Sequence, residues 1–220
     1  MQSFRRFVHL QAAVAWHVLN TNDEGRGTRD EMMIHEWRSY RLKPGATSAY
    51  LTMFADEGLP LVTRHLPLMG YWLGETGPLN TLYHLWSYAD WSEREACRAS
   101  LANETAWVEG FIPRAFALVD EQHTCLLATT ATSPAFAQAL ARRRNRHHAR
   151  SSDTALFAPA CAGLVSGDAM EHSVAVWRVI SGAPDGPVSL LPRAADPVLR
   201  DLGTEPIRHL ILRPLAFSPL

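Results

Sequence analysis

Two adjoining segments, Met69 to Glu75 and Leu79 to Tyr88, carry Tyr71, Trp72, Tyr83, Trp86 and Tyr88 on either side of Thr76-Gly77-Pro78. Aromatic enrichment flanking a Gly-Pro turn is the pattern of paired antiparallel strands, and this hairpin constrains the fold more than any other feature. Upstream, Ile34 to Tyr40 reads as another strand, closed by the turn residues Lys43-Pro44-Gly45. A helix is predicted next, because Ala46, Tyr50, Met53, Phe54 and Leu61 recur at three- and four-residue steps. Gly58-Leu59-Pro60 should kink or divide it. After the hairpin, Ser92 is the predicted N-cap of a second helix, with Glu95 completing a capping box and Trp91 and Ala96 placed as a hydrophobic staple. That helical region runs through Trp107 and should end near Pro113, and a last strand spans Thr124 to Thr130.

The order strand, helix, strand, strand, helix, strand defines an α+β unit of ferredoxin-like type, with both helices on one face of a four-stranded sheet. The other face, rich in aromatic groups, must be covered by a second sheet, because so large an apolar patch invites association. Leu127 to Pro134 lies over Leu212 to Pro219 without a gap, sharing leucine, alanine and a Ser-Pro pair. Val174 to Val179 resembles the strand bearing Leu85-Trp86-Ser87-Tyr88, and Cys161 to Gly167 is its candidate hairpin partner. Pro184, Pro187, Pro192 and Pro197 argue against a full second helix in that region. The division expected is a tail or over-extended start at 1–32, a ferredoxin-like domain at 33–134, an Arg-rich helix and linker at 135–154, and a shortened second copy at 155–220.

Composition excludes several function classes. A net charge of -1 argues against nucleic acid or an anionic membrane as a whole-surface partner. The run Arg142, Arg143, Arg144, Arg146 and Arg150 lacks interleaved aromatics for base stacking, so a solvated helix end is favoured over an RNA patch. Cys97, Cys125 and Cys161 have no metal-type spacing and read as free thiols of a reducing cytoplasm. Phe7 to Leu19 outlines a secretory signal, but His9, Gln11 and His17 interrupt it, and a tail is the simpler reading.

The stretch from Ile34 through Lys43-Pro44-Gly45 resembles the opening strand and turn of the NIPSNAP family. Gly70 to Asn80 and the His-apolar-Trp-x-Tyr strand Tyr83-His84-Leu85-Trp86-Ser87-Tyr88 reinforce the likeness. Arg94 and Arg98 fall where that family commonly has arginines on its second helix, and Ile211 to Pro219 is similar to its usual ending. The resemblance covers about 33–134 and the final strand. It implies a dimeric α/β barrel in which two ferredoxin-like sheets face each other, and it implies no particular reaction. By fold analogy alone, the wider superfamily includes cofactor-free monooxygenases, haem-degrading enzymes and isomerases.

Alternation puts Glu36, Arg38 and Tyr40 on one face of the first strand, and Leu82, His84, Trp86 and Tyr88 on one face of the third. Adjacent in the sheet and turned toward the barrel interior, these groups would line a small-molecule pocket, with Asn80 at its rim. The candidate catalytic residues are His84, as general base or proton shuttle, and Arg38, as anion stabiliser. Glu36, Tyr40, Asn80, Trp86 and Tyr88 are the candidate ligand-binding residues. No metal site and no cofactor are expected, and the partners expected are a small organic molecule and a second copy of the chain. The alternative is a non-enzymatic scaffold or interaction protein whose barrel serves assembly, the same cluster only fixing sheet register and the dimer contact.

Overall fold

The computed structural model describes residues 33–151, 153–184, 186–196 and 208–220; the N-terminal tail, its alternative as a signal, and Pro197 lie outside them. Strand β1, Ile34–Leu42, leads through the Gly45 turn, at φ +79°, into helix α1, Thr47–Met53. A π-helical turn, Phe54–Gly58, and a short helix α2, Leu59–Val62, complete the connection, dividing the helix before Pro60 as expected. Strands β2, Leu68–Gly74, and β3, Thr81–Tyr88, form the hairpin.

Helix α3, Trp91–Ala102, begins two residues earlier than Ser92 predicts. Asp90 caps it, its Oδ1 accepting from the Glu93 N–H at 2.7 Å, while the Glu93 carboxylate takes the Ala89 N–H. Asp-x-x-Glu and Ser-x-x-Glu overlap here, and the aspartate frame is the one used. A second π-helical turn, Ala106–Phe111, joins helix α4, Ile112–Phe116, whose first turn accommodates Pro113. Strand β4, Val119–Thr132, is longer than predicted at both ends, and helix α5, Pro134–Ala141, follows with Ser133 as its N-cap. Strands β5, Cys161–Ser166, β6, Ala175–Ser181, β7, Val188–Ala194, and β8, Arg208–Pro214, make the second half.

The eight strands close into one barrel in the order β1-β3-β2-β8-β5-β7-β6-β4. Its halves, β4-β1-β3-β2 and β8-β5-β7-β6, repeat the same order four strands apart. β8 therefore stands where β4 stands, as the Leu127 and Leu212 overlay suggests. The proposed hairpin of Cys161–Gly167 with Val174–Val179 does not form: β7 lies between β5 and β6. β5 occupies the place of β1 and β6 that of β2, so the likeness of Val174–Val179 to the third strand was off by one strand. The stretch between Pro187 and Pro197 supplies β7, which itself contains one proline, Pro192. Pro192, which has no N–H to donate, falls beyond the part of β7 that pairs with β6.

Because one chain closes the barrel, the bare sheet face that called for a second copy is covered from within. The homodimer expected on that ground is not needed to bury it. The barrel interior is packed by Trp37, Met69, Trp72, Tyr83, Leu85, Leu127, Leu164, Trp177, Leu190 and Leu212, drawn from both halves. A separate core joins the opposite face of β1–β3 to the helical layer: Tyr40, Leu82, Trp86 and Tyr88 meet Tyr50, Phe54, Cys97, Leu101 and Phe111.

β2 shifts register between Leu68 and Gly70. The extra residue puts Leu68 and Tyr71 in the helix-side core, and Met69 and Trp72 in the barrel interior. Gly70 is required there, since a Cβ would sit 1.9 Å from the Trp72 ring. No helix of the described residues is long and apolar enough to cross a membrane.

A candidate anion site between sheet and helices

The even-numbered face of β1 and β3 is turned to the helices and not to the barrel interior. Alternation correctly grouped Glu36, Arg38 and Tyr40 with His84, Trp86 and Tyr88, and cross-strand pairing sets Arg38 opposite His84 and Glu36 opposite Trp86. What alternation could not supply is which face the helices cover, because both faces carry aromatic groups: Trp37 and Tyr83 on one, Tyr40 and Trp86 on the other. Asn80 is not part of the cluster. It precedes β3, in the turn, at φ +57°, its carbonyl accepting from the Leu42 N–H at 2.8 Å and its side chain from the Thr47 hydroxyl at 3.2 Å. Its role is that of a turn residue.

Glu36 is fully buried and organises the charged part of the site. One carboxylate oxygen accepts from Arg38 at 3.2 Å and Arg94 at 3.3 Å; the other accepts from Arg98 at 2.7 Å and the Tyr88 hydroxyl at 3.4 Å. Burial by itself would raise this carboxyl, but Arg98, Arg38 and Arg94 reverse the effect and hold it well below the carboxylate range. Arg94 and Arg98 come from successive turns of α3, the i, i+4 spacing that lets both reach one sheet residue. Arg94 is also shared with Glu95 at 2.7 Å and covers the Trp91 ring at 4.7 Å. Three guanidinium groups thus share one fully buried carboxylate, leaving an excess of positive charge at the sheet.

His84 lies beside this cluster, buried under the helical layer. Tyr71 stacks on its ring at 5.1 Å and Tyr40 meets it edge-on at 4.7 Å. The Trp86 indole N–H donates to His84 Nδ1 at 2.7 Å. An indole can only donate, so Nδ1 is unprotonated and the ring proton sits on Nε2. Burial, followed by Arg38 and Arg98, pushes His84 well below the usual histidine range, against the weaker pull of Glu36, so the ring is neutral at pH 7. Nε2 has no hydrogen-bond partner among the described residues.

A cavity of about 30 Å³ opens beside this ring, lined by His84, Trp86, Arg98, Tyr40 and Tyr71. Phe54 and Phe111 close it from the π-helical turns, together with Trp107. Trp107 and Phe116, both half-buried, are its partly exposed lining residues. π-helical turns are uncommon and recur at functional sites, and here one from each covering segment contributes a wall. The space holds about one water molecule or one oxygen of a larger group.

The alternation argument did not anticipate Tyr50, Tyr71, Phe54, Trp107 or Phe111. Tyr71 was hidden by the register shift at Gly70, and the others by the unassigned face. Among the described residues, no three His, Cys, Asp or Glu side chains converge as metal ligands.

Arg144 and Arg150 of the basic run are spent on the protein itself. Arg144 donates to the His65 carbonyl at 3.2 Å and pairs with Glu93, while Arg150 pairs with Asp56 at 3.4 Å. The His147 N–H reaches the Thr63 hydroxyl at 3.1 Å. These contacts strap the segment after α5 across the helical layer.

A closed barrel of two like-ordered four-stranded halves, with a buried arginine-rich cluster between one half and its helices, defines an α+β-barrel protein of ferredoxin-like type. The NIPSNAP family model matches residues 35–134, and the chain belongs to that family. The protein NipSnap homolog 3A of Homo sapiens is 37% identical over 93 residues, covering 42% of this chain and 37% of that protein. The protein NipSnap homolog 3B of Mus musculus is 36% identical over 90 residues, covering 40% of this chain and 36% of that protein. The match therefore spans little more than a third of those curated relatives. Among solved structures, an uncharacterized NIPSNAP domain protein from Burkholderia xenovorans is 34% identical. The alignment covers 46% of this chain and 98% of that one, with a TM-score of 0.44. A NIPSNAP family protein with unknown function from Agrobacterium tumefaciens is also 34% identical, covering 48% and 95%, with a TM-score of 0.45.

Proposed function

We propose that this chain binds a small organic ligand bearing an oxyanion, such as a carboxylate, enolate or phenolate, in the sheet–helix cavity at His84. The observation that carries the reading is a buried, neutral histidine that lines a cavity while its Nε2–H has no partner among the described residues, beside an excess of guanidinium charge. Two donor groups, His84 and Arg98, line the same cavity and would share an anionic oxygen placed in it. In a water-poor site they act on charge far more strongly than in solvent. His84 serves as a hydrogen-bond donor in this reading and not as the general base expected from sequence, because its basic lone pair is taken by Trp86. Chemistry of the monooxygenase or isomerase kind would use the same two donors to hold an enolate or phenolate. The body of the ligand needs more room than 30 Å³, so it enters by displacing Trp107 and Phe116. Function in a reducing cytoplasm suits the three cysteines, which are all free thiols. Homodimerisation is no part of the reading.

p-Nitrophenol tests it, since its phenolate absorbs in the visible. The protein should bind it saturably, lower its apparent ionisation pH, and lose at least tenfold in affinity on His84→Phe. Equal binding by wild type and H84F contradicts the proposal. A scaffold role is the second reading, favoured by the small cavity and by a Glu36 already satisfied by three arginines. It predicts no phenolate binding and a lower melting temperature for H84F.

A further inference from the structure

We propose that a second recess, at the barrel mouth between α5, β7 and the segment Phe217–Leu220, binds an aliphatic carboxylate through Arg142 and Arg193. The recess measures about 440 Å³, within the range of small-molecule sites and far larger than the cavity at His84. Every described residue lining it lies in 135–220, outside the segment matched by the family model. It is therefore a property of this chain's second half and stands independently of the His84 reading.

The lining divides by chemistry. Ala139, Ala162, Val174, Leu190 and Leu191 supply an aliphatic floor, and Ala139, Ala162 and Leu190 belong to the packed barrel interior. Phe217 is its one aromatic wall. Arg142, Arg193 and His147 contribute nitrogen at the rim, with Gln138 and Asn145 beside them. No aspartate or glutamate side chain lines it, the Leu220 carboxylate at its edge accepts from the Ser218 hydroxyl at 2.5 Å, and among the described residues neither Arg142 nor Arg193 pairs with a carboxylate. Arg193 is fixed by one hydrogen bond, from its guanidinium to the Ser218 carbonyl at 3.0 Å, which leaves the rest of the fork available. Its side chain is exposed, so an anion placed against it gains a charge-assisted hydrogen bond without a buried guanidinium having to be desolvated further. An apolar chain with one carboxylate matches such a lining; a neutral chain would forgo the arginines, and an amine would be repelled by them.

Isothermal titration calorimetry of the full chain with octanoate, octan-1-ol and octylamine separates these cases. Octanoate should bind one to one, at least tenfold tighter than octan-1-ol, with octylamine silent and p-nitrophenol failing to displace it. Arg142→Gln and Arg193→Gln should each weaken octanoate at least fivefold, with octan-1-ol unchanged, and Ala135→Trp should weaken both by filling the recess. Arg142 and Arg193 are both exposed, and R142Q, which removes no side-chain hydrogen bond or ion pair among the described residues, carries the test if R193Q disturbs the Ser218 contact. No octanoate binding, equal affinity for octanoate and octan-1-ol, or octanoate affinity unchanged in R142Q overturns the proposal.

Discussion

The indole N–H of Trp86 donates to Nδ1 of His84 at 2.7 Å, two residues away on the same face of β3. This one bond fixes the histidine tautomer and, with it, what the buried ring can offer a ligand. Replacing Trp86 by phenylalanine should release the tautomer. Nitrogen NMR of wild type should show Nδ1 unprotonated and Nε2 protonated, whereas W86F should show a mixture. The variant should also lose about 1–3 kcal/mol of stability in urea, for a buried hydrogen bond and lost ring volume.

Glu36→Gln should be among the most damaging single changes in the chain. The carboxylate is the shared counter-charge of Arg38, Arg94 and Arg98. Without it three guanidinium groups face one another with little solvent, which costs about 3–5 kcal/mol for a buried pair broken on one side. Urea unfolding measures this. A loss below about 1 kcal/mol would show that the cluster is solvated.

Acid should weaken the fold before most carboxylates titrate. His35, fully buried, makes hydrogen bonds to the Ser87 hydroxyl at 2.6 Å and the Thr129 hydroxyl at 2.5 Å. Burial first, and then Arg143, lower it to about 4. The unfolded chain takes up its proton near the ordinary histidine value of 6.5, so stability is constant above that pH and declines as pH falls toward 4. The decline from this group is about 3 kcal/mol, and His84, also lowered, acts in the same direction. Urea unfolding between pH 7 and pH 4 should show a steeper loss in wild type than in His35→Gln. Parallel profiles would contradict the assignment.

The basic segment should behave as a strap. Arg144→Ala and Arg150→Ala remove contacts to Glu93 and Asp56 at the surface. Each should cost no more than about 1 kcal/mol, while hydrogen exchange across 142–150 speeds up together with that of the Arg150 N–H, which bonds the Ala55 carbonyl. Unchanged exchange in that segment would argue that the backbone contacts hold it alone.

The sequence made the period of each strand legible, and with it the membership of the Glu36, Arg38, Tyr40, His84, Trp86 and Tyr88 cluster. It did not show which way the cluster points, because Trp37 and Tyr83 made the opposite face equally aromatic. Nor could alternation survive Gly70, where one extra residue in β2 carries Tyr71 to the helix side and Trp72 to the interior. The second half was legible through its last strand, where Leu212 to Pro219 repeats Leu127 to Pro134. Its third strand was not, because Pro192 in β7 reads as a break unless one knows that the partner strand has already ended. The tautomer of His84 was not legible for a related reason: which nitrogen carries the proton depends on Trp86, and that bond is a matter of side-chain geometry.

The Nε2 proton of His84 offers the most direct test of a site between sheet and helices. In nitrogen-edited NMR of the full chain, titration with p-nitrophenol at pH 7 should move that resonance downfield and saturate with the dissociation constant seen by absorbance. A His84 resonance that stays fixed while p-nitrophenol binds would place the ligand elsewhere and contradict the account.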